Sequence, residues 1–211
     1  MRKEKRDEMK IKRLVVSSFQ TNCYVLYDHF QAVIIDPGDQ AKKIKNFINE
    51  NELDVLAILL THGHCDHIGA IDALYQAFAC PIYLHQEDHV YLKEPKYNLS
   101  TMMGSPLIVQ APVLDCEETM QIGPFKVRWH HLPGHTPGSS MIELTDQKII
   151  FSGDVLFNGS IGRFDFPLSS HHDTVLSMKK LKEFQEDARV FPGHGEETSI
   201  KNEQQYNPYL K

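Results

Sequence analysis

No apolar run in this 211-residue sequence approaches the ~20 residues a bilayer-spanning helix needs, and the leading MRKEKRDEMK is followed by no apolar signal-peptide core. A cytoplasmic location and no membrane partner are the resulting expectations. Lysine and arginine form no run beyond that N-terminal stretch, and the formal net charge is -6. That balance argues against a surface built to neutralise a phosphate backbone, so no nucleic-acid partner is expected. Cysteine is sparse: Cys23, Cys65, Cys80 and Cys116 form no CxxC pair and read as four reduced thiols. Internal repeats and low-complexity segments are absent. Nothing in these features indicates an oligomeric state.

What the sequence holds in excess is histidine, twelve in all, many of them beside Gly, Asp or another His. That bias points toward metal chemistry. Hydrophobic residues at 41% and charged residues at 24% are ordinary for a globular chain. The length fits one large domain better than two small ones, so residues 9–211 are expected to form one domain. Residues 1–8, almost wholly charged, are expected to be a disordered tail.

Short apolar segments separated by turn residues predict strands beginning at Met9, at Cys23 to Tyr27 and at Ala32 to Asp36, with a helix from Ala41 to about Asn51. Val55 to Leu60 is a continuous apolar run, the pattern of a strand buried on both faces. THGHCDH (61–67) follows it, and Ile68, Ile71, Leu74, Tyr75 and Phe78 then recur at helical spacing. Pro81 to Leu84, Phe125 to His131, Met141 to Leu144, Lys148 to Ser152 and Arg189 to Phe191 predict further strands, with helices near 173–184 and 198–206. The irregular stretch 93–112 reads equally as a substrate-covering loop or a plain surface loop.

Four places share one syntax, an apolar run ending abruptly in metal-capable residues: His62/His64/Asp66/His67, His135, Asp154 and His194. A buried strand fixes the backbone, and the turn after it can aim a side chain at a shared point. Residues two apart on an extended turn face the same side, so His62 and His64 can share one ion while Asp66 and His67 serve another. Asp154, with two carboxylate oxygens, is the bridging candidate. Seven ligands exceed the needs of one metal. Taken alone, His135 and His194 could be turn residues and Asp154 a cap. Three His and one Asp within seven residues have no packing rationale. Cys65 occupies a spacer position in that motif, and Cys23, Cys80 and Cys116 read as buried small hydrophobes. His85, His89, His130, His131, His171 and His172 read as surface or structural residues, any of which could orient a ligand from behind.

In this order the motifs TNCYVL, IIDPG, THGHCDHIGA, LPGHTPGSS, FSGDVLFNGSIGR, FPGHGEET and NPYL resemble the metallo-β-lactamase superfamily, and within it the glyoxalase II-like hydrolases. The resemblance implies an α/β fold, a four-layer αβ/βα sandwich of two mixed β-sheets with helices outside and metals at one edge. It implies that His62, His64 and His135 hold a first metal, that Asp66, His67 and His194 hold a second, and that Asp154 bridges them. Two-domain glyoxalase II enzymes carry a C-terminal helical extension that grips glutathione, which this sequence does not show before Lys211. Where they have Cys-Gly-Lys-Phe-Tyr, this sequence has Ile161-Gly162-Arg163-Phe164-Asp165, leaving Arg163 as the residue to meet a substrate carboxylate. The pattern looks more like the compact, single-domain bacterial type.

The implied cofactors are two divalent metal ions, with zinc first and iron or manganese also compatible with all-N,O ligation. The implied reaction is hydrolysis of a small-molecule, glutathione thioester-like substrate such as S-lactoylglutathione, with a hydroxide shared by the metals as nucleophile. Asp66 and Asp154 are the catalytic carboxylates, Asp66 being placed to accept the water's proton. A thiol leaving group, with a pKa near ~8.5, needs no strong general acid. The principal alternative is a mononuclear iron persulfide dioxygenase of the same fold, followed by a non-enzymatic metal-binding module.

Overall fold

The computed structural model describes residues 9–185 and 187–211; the tail expected at 1–8 lies outside them. The apolar segments become two six-stranded sheets. The first holds β1 (Lys10–Val16), β2 (Thr21–Asp28), β3 (Gln31–Ile35), β4 (Asp54–Leu59), β5 (Ile82–Leu84) and β6 (Leu114–Asp115), in sequence order. The second holds β7 (Thr119–Ile122), β8 (Phe125–His131), β9 (Ser140–Leu144), β10 (Ile149–Gly153), β11 (Arg189–Pro192) and β12 (Thr198–Ser199), also in order. Both sheets are mixed: β3 to β6 run parallel in the first, and β10 pairs parallel with β11 in the second.

Period-two alternation on fully buried strands generates the layers. Val25, Ile34 and Ile58 point outward to a core closed by Ile44 and Ile48 of α1 (Ala41–Glu50) and by Ile71 and Leu74 of α3 (Ile71–Phe78). Their neighbours Leu26, Val33 and Leu59 point inward and pack between the sheets against Val127, Trp129, Ile142 and Phe151. Met141, Ile150 and Val190 point outward from the second sheet to Met178 and Leu181 of α5 (His171–Leu181) and Ile200 of α6 (Ile200–Tyr206). Helix, sheet, sheet and helix are therefore stacked in four layers, as the resemblance implies.

Several local expectations need correction. The helical spacing from Ile68 to Phe78 is split into α2 (Cys65–Ile68) and α3, because the chain bends at Gly69 and Ala70, where the Ala70 N–H donates to the Pro37 carbonyl at 2.9 Å. A Cβ on Gly69 would drive into Gly38, so the close approach requires glycine there. The helix expected near 198–206 begins as β12, which pairs with β11 before α6 starts. β6 and β7 went unpredicted, being two and four residues long. Segment 93–112 contains the end of α4 (His89–Lys93) and a 3-10 turn at Ser100–Met103. Cys116 is only partly buried, unlike Cys23 and Cys80.

One end of the sandwich is tied across the two sheets. Asn22 donates from its backbone to the Gly193 carbonyl at 2.7 Å and from its side chain to the Pro192 and Gly195 carbonyls, both at 2.9 Å. The Tyr24 hydroxyl donates to the Pro192 carbonyl at 2.8 Å, and the Ser140 N–H donates to the Thr61 carbonyl at 3.0 Å. The turns after β4, β8, β10 and β11 are thereby drawn to one edge. Among the described residues no helix is long and apolar enough to cross a membrane.

Candidate metal centre

All seven expected ligands meet at that edge. His62, His64 and His135 present ligand atoms within 4.8 Å of one another, and so do Asp66, His67 and His194. Asp154, the first residue after β10, stands between the two groups. One of its oxygens lies 3.4 Å from His67 Nε2, and the other lies 3.5 Å from His135 Nε2 and 3.6 Å from His194 Nε2. Its approach depends on Gly153, whose φ of 49° is left-handed and whose Cβ would stand 2.5 Å from Thr61 Cβ.

The imidazoles are aimed by what holds their other nitrogen. His67 Nδ1 faces Asp36 at 3.0 Å, His135 Nδ1 faces the Arg163 carbonyl at 2.7 Å, and His194 Nδ1 faces the Phe19 carbonyl at 3.1 Å. If each donates there, each Nε2 lone pair is turned toward the centre. His62 Nδ1 lies 3.1 Å from the Thr61 hydroxyl, which itself donates to Asp36 at 2.7 Å. The Thr21 hydroxyl donates to Asp66 at 2.8 Å.

The residues fit a cation on two grounds. His62 Nε2 and Asp154 Oδ1 are buried with no hydrogen-bond partner, a costly state for polar atoms that a coordinated ion would relieve. His64 Nδ1 and His135 Nε2 face each other at 2.8 Å, so a proton or a metal must lie between their lone pairs. The donor set is nitrogen and oxygen throughout, which suits zinc, iron or manganese alike.

Residues 16–194 match the family model of the metallo-beta-lactamase superfamily. The chain belongs to that superfamily. A Haemophilus influenzae relative named hydroxyacylglutathione hydrolase GloC is 37% identical over 209 residues, spanning 96% of this chain and 98% of its own. Among solved structures, the BLEG-1 B3 metallo-beta-lactamase superposes with a TM-score of 0.91 at 39% identity, covering 96% of this chain and 100% of the other. TTHA1623 in a di-iron-bound form superposes at 0.85 and 36% identity, covering 94% and 100%. TTHA1623 thus binds iron, so membership alone does not select zinc.

The electrostatics of this metallo-beta-lactamase superfamily centre also call for a cation. Burial, then the neighbouring imidazoles, hold His62 well below its ordinary value, and burial with His135 does the same for His64. Burial likewise lowers His135. These three are neutral, the form that binds metal. Burial pushes Asp66 and Asp154 up, but His67 and His194 outweigh it, leaving Asp66 well below the carboxylate range and Asp154 at about 2. Burial lowers His67, yet Asp154, Asp66 and Asp36 outweigh it and hold the ring protonated; His194 is raised mainly by its contact with Asp66. Without metal, the proton on His67 offsets part of the charge of the surrounding carboxylates.

Two buried carboxylates escaped the sequence reading. Asp36 holds the Thr61 N–H at 2.8 Å as well as His67 and the Thr61 hydroxyl. Its signal was the same syntax, since IIDPG is an apolar run ending in a carboxylate. Asp88 accepts from the Gly63 N–H at 2.8 Å, the Thr136 hydroxyl at 2.7 Å and the Gly138 N–H at 2.6 Å, clamping the His62/His64 turn to the His135 turn. Gly138 allows that approach, because its Cβ would stand 2.8 Å from Asp88 Oδ1. Nothing in the local sequence marks Asp88. His85 and His131 stack 3.9 Å apart beside a separate groove with Trp129 and Lys180, and neither joins the two triads.

Asp66, Asp154, His64, His135 and His194 open into a cavity of about 500 Å³. Cys65 lines it as well, its thiol pushed up to about 11 by burial, so it is protonated at neutral pH in the metal-free protein. Arg163 stands at the rim, paired with Asp165 at 2.8 Å and 2.9 Å and stacked over Phe166 at 4.3 Å.

Proposed function

We propose that this metallo-hydrolase superfamily member cleaves a thioester at two divalent metal ions, zinc first, with a glutathione thioester such as S-lactoylglutathione as the leading substrate. The observation that carries the reading is Asp154 standing between two complete ligand triads at the floor of an open cavity. The GloC relative supports the thioester class. We assign the chemistry to residues 9–211 as one domain working in the cytoplasm.

When bound, such a metal pair lowers the pKa of a shared water from 15.7 toward ~7 and polarises the acyl oxygen. The protein's own residues do the rest. Neutral His62, His64 and His135, and His67 after losing its proton, hold the charge where the scissile carbonyl must sit. Asp66, oriented by Thr21, is the carboxylate placed to take the attacking water's proton. Arg163 offers its guanidinium to a substrate carboxylate by exchanging Asp165, a solvent-exposed partner whose attraction water and salt screen. The departing thiol needs no acid.

The test is metal analysis of the purified protein, followed by thioester hydrolysis, β-lactam hydrolysis and oxygen-consumption assays. Two metals per chain with turnover of glutathione thioester is the expected result. Oxygen uptake with a persulfide and one iron per chain would replace this reading with the dioxygenase. Preferential β-lactam turnover would replace the substrate class.

A further inference from the structure

The walls of the catalytic cavity differ sharply in character from its floor. Above the ligands it is lined by Phe19, Leu99, Met102, Met103, Phe157 and Phe166. Two of these stand openly in water, Met102 at 78% and Phe19 at 51% exposure. Single exposed apolar residues need no explanation, but a contiguous apolar rim around a polar floor marks a binding surface.

The rim is built rather than left over. Asn98, fully buried, donates to the Tyr91 and Leu107 carbonyls at 2.7 Å and 3.0 Å and accepts from the Ser100 N–H at 3.0 Å. Its carbonyl accepts from the Cys65 N–H at 2.8 Å, so the loop bearing Leu99, Met102 and Met103 is anchored to the ligand motif itself. Leu99 has φ 67°, a left-handed conformation that a leucine adopts only under constraint.

Charge is arranged as unevenly as apolar surface. Among the described residues, Arg163 is the one Lys or Arg that lines the cavity, and it lies on the His135 side, where its carbonyl holds that ring. Across Asp154, Phe157 stands 5.9 Å from His194 by ring centroids, and the Phe19 carbonyl holds that ring. A substrate therefore finds a guanidinium stacked on Phe166 at the His135 end and the bare Phe157 ring at the His194 end.

Resting on the thioester reading above, we infer that the site goes beyond S-lactoylglutathione to thioesters with a longer, apolar acyl group, and turns these over better as the acyl group lengthens along the wall. The acyl chain lies along Phe19 and Phe157 with Met102 and Met103 over it, while Arg163 receives the thiol end. Methionine suits such a wall, since its flexible thioether follows irregular apolar shapes.

The experiment uses the metal-loaded protein and saturated acyl thioesters of N-acetylcysteamine, from acetyl to octanoyl. Each methylene that enters the wall is worth ~0.8 kcal/mol, so kcat/KM is expected to rise about fourfold per carbon over the first several. The doubly substituted Phe19→Gln, Met102→Gln protein, altered at exposed positions, is expected to flatten that rise. A parallel titration with the non-hydrolysable thioether S-octyl-N-acetylcysteamine reads binding without turnover, with tighter binding to the unsubstituted protein expected. A flat acyl series on an enzyme that does hydrolyse thioesters overturns this inference alone. Failure to hydrolyse any thioester, with both metals present, overturns the thioester reading itself.

Discussion

Replacing Asp88 by alanine tests whether one buried carboxylate holds the two ligand-bearing turns together. The side chain is fully buried and accepts three hydrogen bonds, from Gly63, Thr136 and Gly138. Thr136 keeps a second partner, the Ser139 hydroxyl at 2.7 Å. The Gly63 and Gly138 N–H groups keep none in this network, and each orphaned buried donor costs ~1–3 kcal/mol, or ~2–6 kcal/mol together. We therefore expect Asp88→Ala to lower the unfolding free energy of the metal-free protein by ~4 kcal/mol in urea titrations.

The loss should also depend on pH with a definite sign. Burial pushes the Asp88 carboxyl from 3.8 up to about 6, against the pull of its three donors. Between those values the folded state binds the proton and the unfolded state does not, so stability contributed by Asp88 falls as pH rises through the window. The gap between parent and variant is expected to be widest near pH 4 and narrower at pH 7. Metal affinity, measured by chelator competition, should fall ~10–100-fold because both turns lose their clamp. A destabilisation under ~1 kcal/mol with unchanged metal affinity would refute the reasoning.

Asp36→Ala removes the 3.0 Å contact that aims His67 and the two bonds to Thr61, so affinity for the second ion is expected to fall ~10–100-fold. Retention of two tightly held ions per chain by that variant would count against it. His67 is held protonated in the metal-free protein and His194 is raised toward its charged form, their partner carboxylates outweighing burial, so metal binding at pH 7 is expected to release protons. Calorimetry in two buffers of different ionisation enthalpy measures the number, and a value of zero contradicts the assignment. By the same linkage, the stability these two rings contribute to the metal-free protein is complete below about pH 6.5. It is lost as pH rises through their raised folded values.

The legible part of this protein was whatever a short window of sequence carries. Val55 to Leu60 announced a buried strand because both of its faces are apolar, and β4 lies there. The ligand clusters were visible because a histidine or aspartate directly after such a run has no packing use. The residues that organise the site were hidden for the opposite reason. Asp88 ends a 3-10 turn just before α4, beside ordinary surface residues, and its three partners come from 25 to 50 positions away. β6 and β7 are too short for alternation to register, and they form because neighbouring strands offer free edges.

Strand periodicity and the placement of His62, His64, Asp66, His67, His135, Asp154 and His194 after apolar runs were determined by the chain alone, because pattern and chemistry there are local. Tertiary structure decided which ligands share a point, which nitrogen each ring presents, and that Asp154 stands between the triads. It also decided that Arg163 stands at the cavity above them, beside a wall of aromatic and methionine side chains drawn from four separate segments. Distances of a few ångströms between residues over a hundred positions apart depend on how two sheets are pinned at one edge, and no window of sequence contains that information.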